Sequence, residues 1–195
     1  MSIVTVAEVK AYAKISSSSD DELLGTLIPA SEVFVRTHTR RKLTPQTQTR
    51  YYRQTQARIQ GQLLLLDEDL LQLTGLVNGN GATLQTSDVF LEPLNEGPPY
   101  SMLRMKYSTS VWSFNVDGTV AVTGKWGYTD DPAFTEVHSE LKQGIIRLTA
   151  WLYRQKDTSA AEDRPIVSPD GVTIMPSAIP ADVMQWIDPH RRQSR

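Results

Sequence analysis

The chain has three histidines, His38, His138 and His190, and no cysteine. None of the three has a neighbour at metal-ligand spacing. Without cysteine, disulfides, thiol catalysis and Cys-based zinc sites are excluded. Asp67, Glu68 and Asp69 could supply the paired carboxylates of a hydrolase, which would need a cleft and would lose turnover on Asp→Asn. An acidic cluster after a strand is more often a solvated turn. Asp130 and Asp131 read as caps for free backbone N–H groups. Gly79 and Gly81 sit in a hairpin signal with no Lys-Ser/Thr after them, so no phosphate loop is formed, and no nucleophile elbow occurs. His138 reads as a surface or packing residue. The expectation is a protein that is not an enzyme, with no cofactor and no metal.

Charge is distributed unevenly. Between Arg36 and Leu66 there is no acidic residue, while Arg36, Arg40, Arg41, Lys42, Arg50, Arg53 and Arg58 are positive. The rest of the chain has thirteen basic residues against 22 acidic ones. Such an island suits phosphates or an acidic partner surface. With Tyr51 and Tyr52 able to stack bases, Arg36–Arg58 could make a nucleic-acid-binding β module. That reading predicts tight, salt-sensitive DNA binding. The simpler reading places Arg40, Arg41 and Lys42 at a helix C-terminus, which favours cations, and the tyrosines in cross-strand packing.

The elements that must position these groups centre on residues 120–156. Val120 and Val122 favour a strand, and Gly124 and Gly127 around Lys125 and Trp126 suggest a bend as it leaves a sheet. Asp131 and Pro132 then start a long helix, about 132–156. Val137, Leu141, Ile145, Leu148 and Leu152 form its stripe, widened by Phe134, Ile146 and Trp151. The chain opens with a helix hairpin over about 4–42. Thr5 with Glu8 makes a capping box for the first helix, and Ser19 with Glu22 repeats the pattern for the second. The second helix packs through Leu23, Leu24, Leu27, Ile28, Val33 and Phe34, and Pro29 should kink or break it. Between about 45 and 128 the period shifts to two. Strands are expected at Thr47–Gln56, Gln62–Leu66, Leu70–Val77, Val89–Leu94, Met102–Tyr107, Trp112–Val116 and Thr119–Gly124. The acidic run 67–69 closes one of them, and Asn78-Gly79-Asn80-Gly81 is a strong turn.

After Lys156 five prolines interrupt a stretch of little periodicity. Pro169-Asp170-Gly171 should turn, and Pro180–Ile187 could form a short helix. A tail keeping Ile174, Ile179, Val183, Trp186 and Ile187 has something to dock, either onto a partner or onto its own domain. The fold class is α+β: a helical bundle with an inserted antiparallel sandwich or barrel-like region and an extended C-terminal tail. A domain over 1–157 is expected to be followed by a docking tail over 158–195. The N-terminus lacks the basic start and apolar core of a signal peptide, and the longest apolar run, Leu63 to Leu66, is too short for a membrane. The expectation is therefore a soluble protein of the cell interior, or of a particle assembled there.

Three stretches together resemble a known family. Residues 4–43, VTVAEVKAYAKISSSSDDELLGTLIPASEVFVRTHTRRKL, have a V-x-x-A/E-x-K start, a DD-x-L-L cap and an R-K-L exit. Residues 120–157 run from a strand through G-x-W-G-Y and an acidic Pro cap into a long helix ending in Y-R. Residues 179–192, IPADVMQWIDPHRR, match P-x-D-V-x-x-x-I-x-P-x-R-R. In order and spacing they resemble the tailed-bacteriophage head–tail connectors, the adaptors below the portal. Many members are shorter, with a short hairpin where this chain has roughly Gln46 to Gly118. The resemblance implies a structural virion protein of the neck, assembled in host cytoplasm. Copies would form a ring, usually twelve-fold, continuing the DNA channel and carrying the tail. Its partners would be the portal protein, neighbouring copies, a tail or stopper protein, and passing DNA held without specific binding; no membrane is involved. Ile179, Val183, Trp186, Ile187, Arg191 and Arg192 would dock on portal or neighbour. Arg40, Arg41, Lys42, Arg50, Arg53 and Arg58 remain possible partner or DNA contacts. The enlarged β part would broaden the rim, meet the capsid side or receive the next tail component.

Overall fold

The computed structural model describes residues 2–55, 58–108, 110–155, 166–167, 173–174 and 179–192. The chain divides into two compact units, residues 1–40 with 139–195, and residues 41–138.

The first unit is helical. Helix α1, Val6–Ala13, begins with the expected capping box. The Thr5 hydroxyl accepts from the Glu8 N–H at 3.2 Å, and the Glu8 carboxylate accepts from the Thr5 N–H at 2.7 Å. Lys14 ends the helix in the left-handed region. Before it, the Glu32 carboxylate accepts from the N–H groups of Ile3 and Val4 at 2.6 and 3.2 Å. Helix α2, Asp21–Thr39, is capped by Asp20 without a side-chain bond, so the second capping box does not form. Asp20 instead accepts from the Tyr153 hydroxyl at 2.7 Å, while Ser19 pairs with the Ser17 hydroxyl.

Pro29 removes one rung of α2, yet the helix is assigned unbroken through it. Its buried face, Leu24, Ile28, Ser31 and Val35, packs on helix α3, Ser139–Arg154. That packing holds both turns in line. Thr149 donates to Ser31 at 2.9 Å and Ser31 to the Leu27 carbonyl at 3.0 Å, which satisfies two fully buried hydroxyls.

Helix α3 starts seven residues later than the pattern predicts. The Asp131 carboxylate accepts from the N–H groups of Ala133, Thr135 and Glu136 at 2.9, 2.7 and 3.0 Å. It closes a turn in which Phe134 is left-handed, so Phe134 and Val137 are not part of the helical stripe. From Ser139 the stripe is as expected: Leu141, Ile145, Ile146 and Leu148 are buried, joined by Gly144, Thr149 and Ala150. Helix α4, Ala181–Ile187, follows and runs into a 3-10 turn at Asp188–His190. Ile166–Val167 pairs antiparallel with Thr173–Ile174. The turn expected at Pro169-Asp170-Gly171 lies outside the described residues.

The second unit is one open antiparallel sheet, not a sandwich or closed barrel. Its strands are β1 (Gln46–Arg53), β2 (Ile59–Gln60), β3 (Leu63–Val77), β4 (Thr83–Leu84), β5 (Val89–Glu92), β6 (Tyr100–Met105) and β7 (Thr119–Trp126). The order is β1-β7-β3-β6-β5, with β2 and β4 also pairing on β3. The acidic run 67–69 therefore does not end a strand: β3 passes straight through it. Register shifts between Leu65 and Leu70 absorb the irregularity, and cations on other segments neutralise the carboxylates.

Trp112–Val116 is not a strand either. It is a loop pinned to the Asn78–Gly81 turn, whose Asn78 side chain donates to the Val111 carbonyl and accepts from the Ser113 N–H. Phe114 lies against Gly79, where a Cβ would come within 2.2 Å of the ring. Among the described residues no helix is long and apolar enough to cross a membrane.

The sheet's core includes Tyr52, Leu64, Leu66, Leu70, Leu76, Leu103, Met105, Val120, Val122 and Trp126. Along β7 every second residue is buried, and Gly124 holds one of those inward places. A Cβ there would lie 2.2 Å from the Gln72 carbonyl oxygen, a backbone atom that cannot step aside. Gly124→Ala is expected to lower stability by about 1–3 kcal/mol through separation of β3 from β7. Gly75→Ala, whose Cβ would meet Thr123 at 3.4 Å, should be close to neutral. Urea unfolding of the two variants tests the contrast.

Candidate functional site

In the sheet unit the basic island and the acidic run meet. Arg41 donates to Asp69 at 2.8 Å and lies 4.0 Å over the Tyr128 ring. Arg50 donates to Asp67 at 2.6 Å, reaches Glu68 at 3.3 Å and sits 5.2 Å over Trp126. Tyr52 donates to the other Asp67 oxygen at 2.6 Å; burial, then this bond, raises its phenol above the usual range. Lys42 reaches Gln48 at 3.3 Å. The carboxylates thus act as counter-ions inside the sheet. Arg53 is exposed and Arg58 half-buried, whereas Arg36 and Arg40 are exposed on the helical unit. His138 stacks on Tyr128 with ring centroids 5.1 Å apart, a packing role. Among the described residues, neither unit by itself gathers three metal-ligating side chains.

In the helical unit the C-terminal segment is seated on α2 and α3. Val183 and Ile187 are fully buried. Ile187 occupies a notch left by Gly144, where a Cβ would come 3.0 Å from its Cγ2. Charges fasten the rim. Arg147 donates to Asp182 at 2.8 Å, which holds that carboxyl below the usual range. His38 lies 2.5 Å from Asp188, and His190 2.6 Å from Glu140. The Arg192 N–H donates to the Thr39 carbonyl at 2.8 Å, satisfying one of the free carbonyls at the end of α2.

Of the six predicted docking residues, Val183 and Ile187 are thus turned inward on the chain itself. Ile179, Trp186 and Arg192 are half-buried, and Arg191 is exposed. The sequence reading missed Gly144, Glu140, Arg147 and His38 as the receiving side. The one available signal was a glycine inside an apolar helical stripe.

Helix α3 is also tied to α1, through Lys142 and Glu8 at 2.7 Å. Lys142, with the N–H and hydroxyl of Thr5, lowers the Glu8 pKa from 4.5 to about 2. A depressed pKa gives stability that is present above 4.5 and is lost as pH falls towards 2. Glu8→Gln is expected to cost no more than about 1 kcal/mol near neutrality, because the pair is solvent-screened. The difference from wild type should vanish at about pH 2 in urea titrations.

Residues 3–65 match the family described as phage gp6-like head-tail connector protein. The matched segment is about a third of the chain. It contains α1, α2, β1, β2 and the start of β3, so the match enters both units. The whole fold is similar to a chain in the neck of an empty gene transfer agent particle computed with C6 symmetry. That likeness has a TM-score of 0.60 and 17% identity, over 99% of this chain and 91% of that one. It is also similar to a chain in the neck of a native particle computed with C12 symmetry. There the TM-score is 0.56 at 14% identity, over 100% and 96% of the two chains. A chain of the virion of the native gene transfer agent gives 0.60 at 16%, over 99% and 91%. No curated protein matches the sequence. At these identities the structural likeness is one of fold.

Proposed function

We propose that the chain is a head–tail adaptor in the neck of a phage-like particle. The observation that carries this is the connector-family segment set within a fold shared, over nearly its whole length, with neck proteins. Copies assemble head-to-tail into a closed ring, twelve-fold to match the portal above it. The ring continues the DNA channel and offers the tail or stopper protein its platform. It is located in the virion neck after assembly in host cytoplasm, and its role is structural, not catalytic.

Its exposed C-terminal side chains, Arg191 with the outer parts of Ile179, Trp186 and Arg192, contact the portal, while Val183 and Ile187 hold the segment on a helical groove. A DNA conduit works best when it does not grip, since phosphate contacts bind strongly. The engagement of Arg41 and Arg50 by carboxylates supports that reading over a nucleic-acid-binding module.

Portal capture tests the docking assignment. The tagged full chain should retain a co-expressed portal, whereas deletion of Ile179–Arg195 and the charge reversal Arg191→Glu with Arg192→Glu should not. Undiminished capture by both variants would refute it. The isolated chain should show no DNA binding that survives moderate salt; retention that does survive would restore the basic island as the site.

A further inference from the structure

We infer that the groove between α2 and α3 is a receptor for a C-terminal helix, and that in the assembled ring the helix seated there comes from a neighbouring copy. The inference rests on the ring reading and names the partner of its docking segment. It starts from the length of α4. A seven-residue helix is unstable by itself in water, so its form depends on the surface that receives it.

That surface is built for it. The Gly144 notch takes Ile187, Arg147 takes Asp182, Glu140 takes His190, and the end of α2 takes Asp188 through His38 and the Arg192 N–H through Thr39. A helix from a second copy would find every one of these partners unchanged. Own-chain and exchanged seating therefore differ only in the connection between α3 and α4.

The connection, residues 156–178, permits both. Residues 156–165 and 175–178, on either side of the pairing at 166–174, span about 45 Å when extended. That distance crosses about four helix diameters of about 10–12 Å each. In dilute solution the own-chain helix has the advantage of effective concentration. In a ring the neighbour's groove is held equally near, and exchange then ties each copy to the next.

The absence of cysteine makes the test direct. Chains carrying Arg147→Cys are mixed with chains carrying Asp182→Cys, assembled, and treated with a short bis-maleimide. Covalent pairs of unlike chains are expected in the oligomer and not in the monomer fraction. A second pair, Glu140→Cys with His190→Cys, guards against a local loss of structure at either position. Oligomers that yield no such pairs, while the double variant Arg147→Cys/Asp182→Cys cross-links within single chains, would overturn exchange and leave the ring reading standing. Chains that never assemble, even on purified portal, would overturn the ring reading and exchange with it.

Discussion

Ile187→Ala is expected to lower the stability of the helical unit by about 2–5 kcal/mol. The side chain is fully buried and fills the notch at Gly144, so its removal leaves a cavity that no neighbouring side chain at that position can enter. The amides of α4 should lose hydrogen-exchange protection before those of α3, since a seven-residue helix depends on the face it buries. Ile187→Val should cost only about 0.5–1.5 kcal/mol. Gly144→Ala supplies the coupled test. In the wild-type background its Cβ would crowd Ile187 at 3.0 Å, offsetting the helix-propensity gain. In the Ile187→Ala background the crowding disappears and the gain of up to about 1 kcal/mol should appear. An additive pair of effects would show that the two residues do not meet.

The second large effect belongs to the sheet. Asp69→Ala is expected to cost about 3–5 kcal/mol, because it removes a buried counter-ion of the Arg41 guanidinium beside Tyr128. Asp69 has 4% of its side chain exposed and Arg41 16%, so water can replace little of the lost interaction. Replacing both by apolar residues of similar volume, Arg41→Met with Asp69→Leu, should recover most of the loss. Urea unfolding of the single and double variants measures this. The outcome bears on function as well: a cation whose role is to neutralise a carboxylate in the sheet is not available to phosphates.

How far the sequence reveals this protein depends on how local each feature is. The Thr5–Glu8 box, the stripe through Leu141, Ile145 and Leu148 and the Asn78–Gly81 turn are fixed by residues a few positions apart, and all three form. Asp131 was legible as a cap, but not that its carboxylate would close a turn and delay α3 to Ser139. The acidic run 67–69 looked like a strand end because its counter-ions lie elsewhere: Arg41 precedes β1, while Arg50 and Tyr52 lie on it. Trp112–Val116 has strand-forming residues, yet Asn78 and Gly79 bind its backbone in place of a neighbouring strand.

The same division holds at the C-terminus. The four-residue step from Val183 to Ile187 marks a helical apolar side in the sequence. That this side meets Gly144, with charges closing the rim, depends on packing between segments some forty residues apart.

Imaging decides whether the chain forms a ring on a portal. The tagged chain would be co-expressed with a portal, purified, and examined by electron microscopy with symmetry analysis of end-on views. Twelve copies are expected in a closed ring coaxial with the portal, with an open channel through both. Particles in which the chain binds the portal as scattered monomers, or binds only nucleic acid, would contradict it.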